Sequence, residues 1–180
     1  MNTTDCIKTR RSIRNYKEEQ IPQDVINEVI DIACFAPSWK NGQIARFYVV
    51  QSPDLKKKIA EECMMGFSFN TNTLTKAPAL VVVAYVEKRS GFERDGSYTT
   101  SKEDRWEMFD AGIATQTFCL AAHEKGLGTC IMGIFDEEKV AETIGLPEGQ
   151  KVGAVLALGY PAEEPQAPAR KEAEQLVQFL

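Results

Sequence analysis

The 180-residue chain, with 43% hydrophobic and 26% charged residues, is long enough for one hydrophobic core and short for two, so we expect a single domain over residues 1–180. Its net charge of −5 and pI near 5.1 argue against a general nucleic-acid or membrane surface, and any bound anion must meet a local basic cluster. The five cysteines form no CxxC pair, and the longest apolar run, APALVVVAYV, is too short to cross a bilayer, so a cytoplasmic location is expected.

Hydrophobic periodicity and turn residues divide the chain into helices and strands. In chain order, the pattern predicts a helix over 21–36, a strand over 46–51, a helix over 52–64, a strand over 77–86, a helix over 106–126, a strand over 128–133, a helix over 136–145 and a strand over 151–160. Ser52 and Asp136 are typical N-cap residues, and Gly145 is a typical helix stop. The β-branched run 77–86 is typical of a strand covered on both faces.

Three segments interrupt or extend this pattern. Residues 87–105 are polar, contain two glycines and are expected to form an exposed lid loop. The helix over 106–126 is apolar around most of its circumference, which favours burial at a subunit interface. Residues 165–180 contain too little apolar surface to fold alone, so we expect a C-terminal arm that packs elsewhere, for example on a second subunit.

The sequence argues against metal and nucleophile chemistry. His123 is the single histidine, and its place near the end of a predicted helix indicates an ordinary helix residue. Zinc-ligand spacings are absent, no metal is expected, and a Ser-His-Asp or Cys-His nucleophile is not supported. GLGTCIMG follows a helix and enters a strand, the reverse of the order in a dinucleotide-binding fingerprint. A phosphate would therefore be held by side chains.

Two basic clusters and one polar loop are the candidate binding elements. TRRSIRNY concentrates basic and hydroxyl side chains within five positions: Arg10, Arg11, Ser12 and Arg14. These groups could converge on one phosphate, although a solvated basic patch fits them equally well. A second basic pair, Arg170 and Lys171, lies near the C-terminus. The loop APSWKNGQ, residues 36–43, is crowded with hydrogen-bonding side chains, and taken alone it is equally consistent with a helix stop and a polar loop.

The order of these features resembles the nitroreductase family of FMN-dependent oxidoreductases over nearly the whole chain. The features are RRSIR near the N-terminus, a helix ending in APSxxNxQ, a following strand with an aromatic residue, an Ala-rich helix followed by GLG, and a late basic pair. The resemblance implies an α+β fold with a central mixed β-sheet flanked by helices. It also implies an intertwined homodimer with FMN at the subunit interface and NADH or NADPH as the hydride donor.

The resemblance also implies a role for each matching residue. The FMN phosphate would be held by Arg10, Arg11, Ser12 and Arg14, with Arg170 and Lys171 closing on it. The partner subunit would reach the flavin through Pro37, Ser38, Trp39, Asn41 and Gln43. The pyrimidine edge and ribityl chain would be bound by Asn70 and Thr73, and the ring near N5 and O4 would be flanked by the backbone of Ile131, Met132 and Gly133. No side chain is expected to act as a catalytic acid or nucleophile.

The expected function is hydride transfer in two half-reactions, from NAD(P)H to flavin N5 and then to an acceptor such as a nitroaromatic or quinone. A rival on the same fold is reductive dehalogenation of a halogenated phenol or tyrosine, clamped by the lid residues Glu93, Tyr98 and Lys102. A non-catalytic flavin-binding redox sensor and a structural dimer without flavin are two more hypotheses for the chain. Trp39 and Met132 depart from residues common in the family, which bears on substrate choice.

Overall fold

The computed structural model describes every residue from Met1 to Leu180 and contains six α-helices and four β-strands. The helices are α1 (Thr3–Thr9), α2 (Gln23–Ala33), α3 (Pro53–Glu62), α4 (Ser68–Lys76), α5 (Arg105–Glu124) and α6 (Glu137–Ile144). The strands are β1 (Ala45–Val50), β2 (Ala79–Val86), β3 (Gly128–Met132) and β4 (Gln150–Gly159). Short 3₁₀ turns cover Trp39–Asn41 and Ala173–Gln175. None of the helices combines the length and the hydropathy that spanning a bilayer requires.

All eight elements predicted from periodicity are present, with ends displaced by a few residues. The expected caps form: the Ser52 side chain accepts the Leu55 N–H, and the Asp136 side chain accepts the Lys139 N–H. Gly145 ends α6 with a φ of 63°, in the left-handed region that favours glycine.

The sequence-based prediction missed α1 and α4. α1 is only seven residues long and buries Cys6 alone. α4 has the sequence SFNTNTLTK and buries only Thr73 and Leu74. Neither helix therefore has the apolar stripe on which periodicity depends, and both are stabilised by tertiary packing instead.

The four strands form one sheet in the order β1-β2-β4-β3, and every neighbouring pair is antiparallel. The expectation of a mixed sheet is met only by an isolated parallel bridge between Ser12 and Thr129, outside the named strand pairs. α2 and α5 pack on one face of the sheet, with Val81 of β2. α3, α4 and α6 pack on the other face, with Val82 of β2. β2 is therefore covered on both faces, as its sequence predicts.

α5 lies on the sheet but leaves one of its own faces uncovered. Ala111 and Ala114 are buried, whereas the apolar side chains of Met108 and Phe109 are 50% and 57% exposed. Gly112, on the same face, is exposed as well. Exposed apolar surface of this kind is typical of an interaction site, and burial of α5 at a subunit interface stays a prediction.

Candidate functional site

The basic segment that follows α1 lies beside β3. Ser12 forms the parallel bridge with Thr129. Burial raises the pKa of the Cys130 thiol, and the nearby positive charges of Arg14 and Arg10 partly offset that effect. The structure thus brings three residues of the predicted phosphate cluster to one place, next to the strand that was expected to flank the flavin ring.

Glu163 binds the backbone of this basic segment, and the guanidinium groups of the segment have no ion-pair partner. The Glu163 carboxylate accepts the backbone N–H groups of Arg14 at 2.7 Å and Asn15 at 3.1 Å, and the side-chain amide of Asn15 at 2.5 Å. These bonds, the one from the Arg14 N–H most of all, lower the pKa of Glu163. None of the four ion pairs in the structure involves Arg10, Arg11 or Arg14, so their guanidinium groups retain donors for an external anion.

Arg11 has a structural role that its sequence position did not reveal. Its guanidinium group donates to the carbonyl oxygens of Lys8 at 2.7 Å and Arg10 at 2.9 Å, and so caps the C-terminal end of α1. The same side chain lines a cavity of about 880 Å³ together with Lys17 and His123. Arg11 is therefore engaged by the protein itself, and its contact with a phosphate stays a prediction.

β3 presents an open peptide edge at the end of the sheet. The Ile13 N–H donates to the Thr129 carbonyl at 3.0 Å, so the peptide groups of Thr129 face outward from β4. Because alternate residues of a strand direct their peptide groups to the same side, those of Ile131 face the same edge. Gly133, just beyond β3, has open space where a side chain would stand. The Met132 side chain is buried in the core, so only its backbone could contact a flavin.

The side chains of Asn70 and Thr73 point in different directions from α4. The Asn70 side-chain amide donates to the Ile134 carbonyl at 3.0 Å, which places Asn70 beside the end of β3, and its contact with a flavin stays a prediction. The Thr73 hydroxyl instead donates to the Phe69 carbonyl of its own helix at 2.8 Å, and Thr73 is buried. The role of Thr73 at the ribityl chain stays a prediction, and in this chain its hydroxyl bonds within α4.

The loop of residues 36–43 has a tightly constrained backbone. Lys40, Asn41 and Gln43 have φ values of 46°, 55° and 48°, in the left-handed region that is unfavourable for residues with a Cβ atom. The Ser38 hydroxyl accepts the Gln43 N–H at 2.9 Å. The side chains of Asn41 and Gln43 are exposed and make no hydrogen bond within the chain, so their polar groups are available to a ligand or a partner.

The loop and the basic segment lie near opposite ends of α5. The Trp39 N–H donates to the Asp110 carboxylate at 2.9 Å, near the start of the helix. Near its end, His123 Nε2 lies 2.9 Å from Thr9 Oγ1, just before the basic segment. Asp110 and His123 are thirteen positions apart on α5, and at 1.5 Å per residue this corresponds to about 20 Å. The loop also leads into β1, at the opposite edge of the sheet from β3. One chain therefore carries two separated halves of the predicted site.

The second basic pair is not brought to the first. Arg170 and Lys171 are exposed and form no ion pair or side-chain hydrogen bond. The segment before them contacts the body through the Ala162 N–H, which donates to the Asn15 carbonyl, and through the Glu163 carboxylate. The apolar residues at the end of the chain are uncovered, and Phe179 is 91% exposed. The arm over 165–180 and its contact with the phosphate stay predictions.

A sequence model of the Nitroreductase family matches residues 7–160 of the chain. The chain belongs to the nitroreductase family. It is 33% identical over 172 residues to a Methanothermobacter thermautotrophicus protein provisionally named NADH dehydrogenase/NAD(P)H nitroreductase, with 92% of this chain and 80% of the relative covered. It is 26% identical over 177 residues to the iodotyrosine deiodinase of Thermotoga neapolitana, with 87% of each chain covered. The predicted family is therefore confirmed.

Solved structures agree with the fold. A nitroreductase family protein from Clostridium novyi NT superposes with a TM-score of 0.78 at 30% identity, covering 93% of this chain and 89% of the other. A protein from Exiguobacterium sibiricum, provisionally named a nitroreductase and solved in complex with FMN, superposes with a TM-score of 0.86 at 20% identity, covering 100% of this chain and 98% of the other. The predicted α+β nitroreductase fold is confirmed. The relatives' names agree with the predicted oxidoreductase class and with FMN and NAD(P)H as cofactors of the family.

Proposed function

We propose that this nitroreductase is an FMN-dependent oxidoreductase that passes two electrons from NADH or NADPH to an acceptor such as a nitroaromatic or a quinone. The observation that carries the proposal is the pairing of a basic segment, whose guanidinium groups have no ion-pair partner, with the open peptide edge of β3. An anionic group and a planar polar ring are the two parts of FMN that these features suit.

The residues present fit the phosphate of FMN. A phosphomonoester carries about −1.5 to −2 charges at neutral pH. In a chain of net charge −5, Arg10 and Arg14 give a local positive region beside β3, and neither is neutralised by an ion pair. Guanidinium groups bind such oxygens with charge-assisted, often bidentate, hydrogen bonds. Ser12 adds a hydroxyl between them, so the expected donor set is present on one segment.

The edge of β3 fits the polar rim of the flavin ring. Bound FMN would supply the two-electron chemistry, and the protein would supply position and electrostatics. The Ile131 N–H faces the open edge, Gly133 permits close approach of a planar ring, and the Asn70 side chain lies beside them. Backbone and amide donors at this rim would stabilise the negative charge that reduction brings to the ring. No buried acid or nucleophile is needed for this role.

We further propose that each site is completed by the loop over 36–43 of a second copy of the chain. The loop lies about 20 Å along α5 from the basic segment, so its exposed Asn41 and Gln43 are far from their own chain's phosphate residues. The uncovered apolar face of α5, which includes Met108 and Phe109 at the end of the helix nearer the loop, supplies a surface for a partner. A two-fold homodimer would bring the loop of each chain to the basic segment of the other.

The dehalogenase hypothesis has a relative in the T. neapolitana deiodinase, but the lid offers it little support. Glu93 is paired with Lys40 at 3.1 Å and accepts a bond from the Thr99 hydroxyl at 2.7 Å. The Tyr98 ring packs on Phe92 with centroids 4.9 Å apart. Lys102 Nζ lies 4.8 Å from the ring centroid of Trp106 on α5. All three proposed clamp residues are thus engaged within the chain, and the reductase assignment is preferred.

The visible spectrum of the purified protein tests the proposed function. We expect a yellow protein, or one that becomes yellow after incubation with FMN and gel filtration, whose flavin absorbance bleaches when NADH or NADPH is added anaerobically. Reoxidation by a quinone or a nitroaromatic would complete the cycle. A yellow protein that neither nicotinamide bleaches would contradict the enzyme and favour the sensor, and a protein that cannot be loaded with FMN would refute the flavin site.

A further inference from the structure

Asp110 is a buried carboxylate that joins three parts of the chain. It is 4% exposed on α5 and takes part in none of the ion pairs of the structure. A single oxygen, Oδ2, accepts the backbone N–H of Trp39 at 2.9 Å and the hydroxyl of Ser90 at 2.5 Å. Trp39 belongs to the loop over 36–43, and Ser90 lies at the base of the lid over 87–105.

We propose that Asp110 is a positioning residue that holds the loop and the lid on α5 as one unit. The inference rests on the proposed function, because that function gives the loop its contact with FMN in the partner's site. Asp110 itself would touch neither the cofactor nor the substrate. Its role is to keep the loop in the one conformation that can make that contact.

The loop needs such an anchor because its backbone is unfavourable. Its three left-handed, non-glycine residues are stable only where surrounding contacts over-determine them. Most hydrogen bonds of the loop are internal, such as the Asn41 N–H to the Ser38 carbonyl at 3.0 Å and the Gly42 N–H to the Trp39 carbonyl at 2.7 Å. These bonds shape the turn but do not attach it to the core. The bond from the Trp39 N–H to Asp110 does attach it, in a buried setting.

The indole N–H of Trp39 does not help to hold the loop in place. Trp39 Nε1 is buried and has no hydrogen-bond acceptor. The ring instead packs on Trp106 at the start of α5, with centroids 4.9 Å apart. Trp106 in turn donates through Nε1 to the Thr100 hydroxyl of the lid at 3.0 Å. The position of the loop thus depends on its backbone bond to Asp110 and on an aromatic contact shared with the lid.

The lid is attached to the same unit. Ser90 is fully buried, and its hydroxyl bond to Asp110 fixes the lid where it leaves β2. The lid and loop also meet at the Lys40–Glu93 ion pair, but those side chains are 58% and 45% exposed. Exposed ion pairs contribute little to the stability of a contact. The buried carboxylate is therefore the strongest polar tie, because charge-assisted bonds are about twice as strong as neutral ones.

Four variants test whether the two hydrogen bonds to Asp110 hold the loop and the lid on α5; these two bonds are called the Asp110 tie below. Asp110→Ala removes both bonds, whereas Asp110→Asn keeps an oxygen that can accept both, loses the charge and replaces the other oxygen with an NH2 group. Ser90→Ala removes the bond to the lid alone. Glu61→Ala is the matched control, because Glu61 is an exposed acid on α3, across the sheet, and makes no side-chain hydrogen bond. Each variant is compared with the wild type for FMN dissociation constant, for the rate of tryptic cleavage at Arg94 and Lys102 in the lid, and for thermal midpoint.

We expect Asp110→Ala to raise the FMN dissociation constant about tenfold and to speed lid cleavage by about tenfold or more, as the loss of a charge-assisted bond predicts. Asp110→Asn should stay within about threefold of wild type in both, and Ser90→Ala should speed cleavage with a smaller effect on FMN. Rescue by asparagine distinguishes positioning from a general loss of stability. Wild-type FMN affinity and cleavage rate in folded Asp110→Ala would overturn the proposal.

Two further outcomes keep the test decisive. If Asp110→Ala does not fold, the proposal is tested with Ser90→Ala alone. An unchanged rate of lid cleavage in Ser90→Ala would then refute the Asp110 tie. If the wild type binds no FMN, the proposed function fails, while the cleavage rates still report on the attachment of the lid. Failure of the tie and failure of the flavin site are therefore separate results.

Discussion

A complementation experiment tests the division of the site between two chains. One chain carries Arg10→Ala, and the other carries Asn41→Asp. The Arg10 side chain makes no hydrogen bond or ion pair within its chain, so its removal leaves the fold intact. Asparagine and aspartate both tolerate the left-handed backbone of position 41, so the second change replaces an amide donor with a carboxylate at little conformational cost. Each substitution damages a different half of the proposed site.

The magnitude follows from the bonds removed. Loss of a hydrogen bond to a charged group costs about 1.5–3 kcal/mol, which corresponds to a rise of roughly 10–150-fold in the FMN dissociation constant. An Asn41 amide replaced by a carboxylate leaves a ligand acceptor unpaired, at a cost of about 1–3 kcal/mol. Both homodimers should therefore lack a site of wild-type affinity. In the mixed dimer, one site receives both substitutions, and the other receives neither.

The assay is a fluorescence titration of FMN with a mixed dimer isolated through two different affinity tags. We expect one equivalent of FMN per dimer to bind with wild-type affinity. The control pairs a wild-type chain with a chain carrying both substitutions, in which each site has one damaged half and none should bind like wild type. The opposite pattern, with the intact site in the control dimer, would refute the cross-subunit assignment.

Three further outcomes are expected. Deleting the residues after Lys171 should shift the dimer toward monomer in sedimentation velocity, and an unshifted dimer would count against the arm. Gly91→Ala should speed tryptic cleavage of the lid far more than Gly96→Ala. Both glycines have a positive φ, but only a Cβ atom at position 91 would clash with a backbone oxygen, that of Glu103. Equal cleavage rates in the two variants would contradict this. Burial raises the pKa of Glu107, so its ionisation disfavours the folded state above the ordinary carboxyl pKa. Glu107→Gln should therefore raise the thermal midpoint at pH 7 and lose that advantage below about pH 4; a gain that persists in acid would be inconsistent with the carboxylate as its source.

The elements that could be predicted from sequence are those whose signals are local. The run over β2 is apolar at almost every position, and the structure buries it from Ala79 to Tyr85. α6 has both a capping aspartate and a terminal glycine, and both act as expected. α4 has neither a side-chain cap nor an apolar stripe, and its existence depends on packing against the core through Thr73 and Leu74. Periodicity could not reveal it.

Some residues of the candidate site could likewise be predicted from the sequence, and others could not. Arg10, Ser12 and Arg14 could be chosen as candidates from the order of motifs along the chain, but their position beside β3 is seen only in the structure. Glu163 could not be found, because its bond to the Arg14 N–H joins residues 149 positions apart and no local pattern marks it. Asp110 did leave a signal, since a carboxylate flanked by apolar residues on a largely buried helix must be satisfied by something. Only the structure shows that its partners are a loop and a lid.

α5 explains why the two halves of the site can be fixed so firmly in one small chain. Asp110 holds the loop near one end of the helix, and His123 lies against the N-terminal segment near the other. A helix keeps that spacing of about 20 Å rigidly, because its rise per residue is set by backbone hydrogen bonds. The exposed face with Met108 and Phe109 lies on the same helix. On the proposed dimer, the contact that joins the chains would also set the position of each loop in the other chain's site, so a weakened interface and a weakened cofactor site should be inseparable.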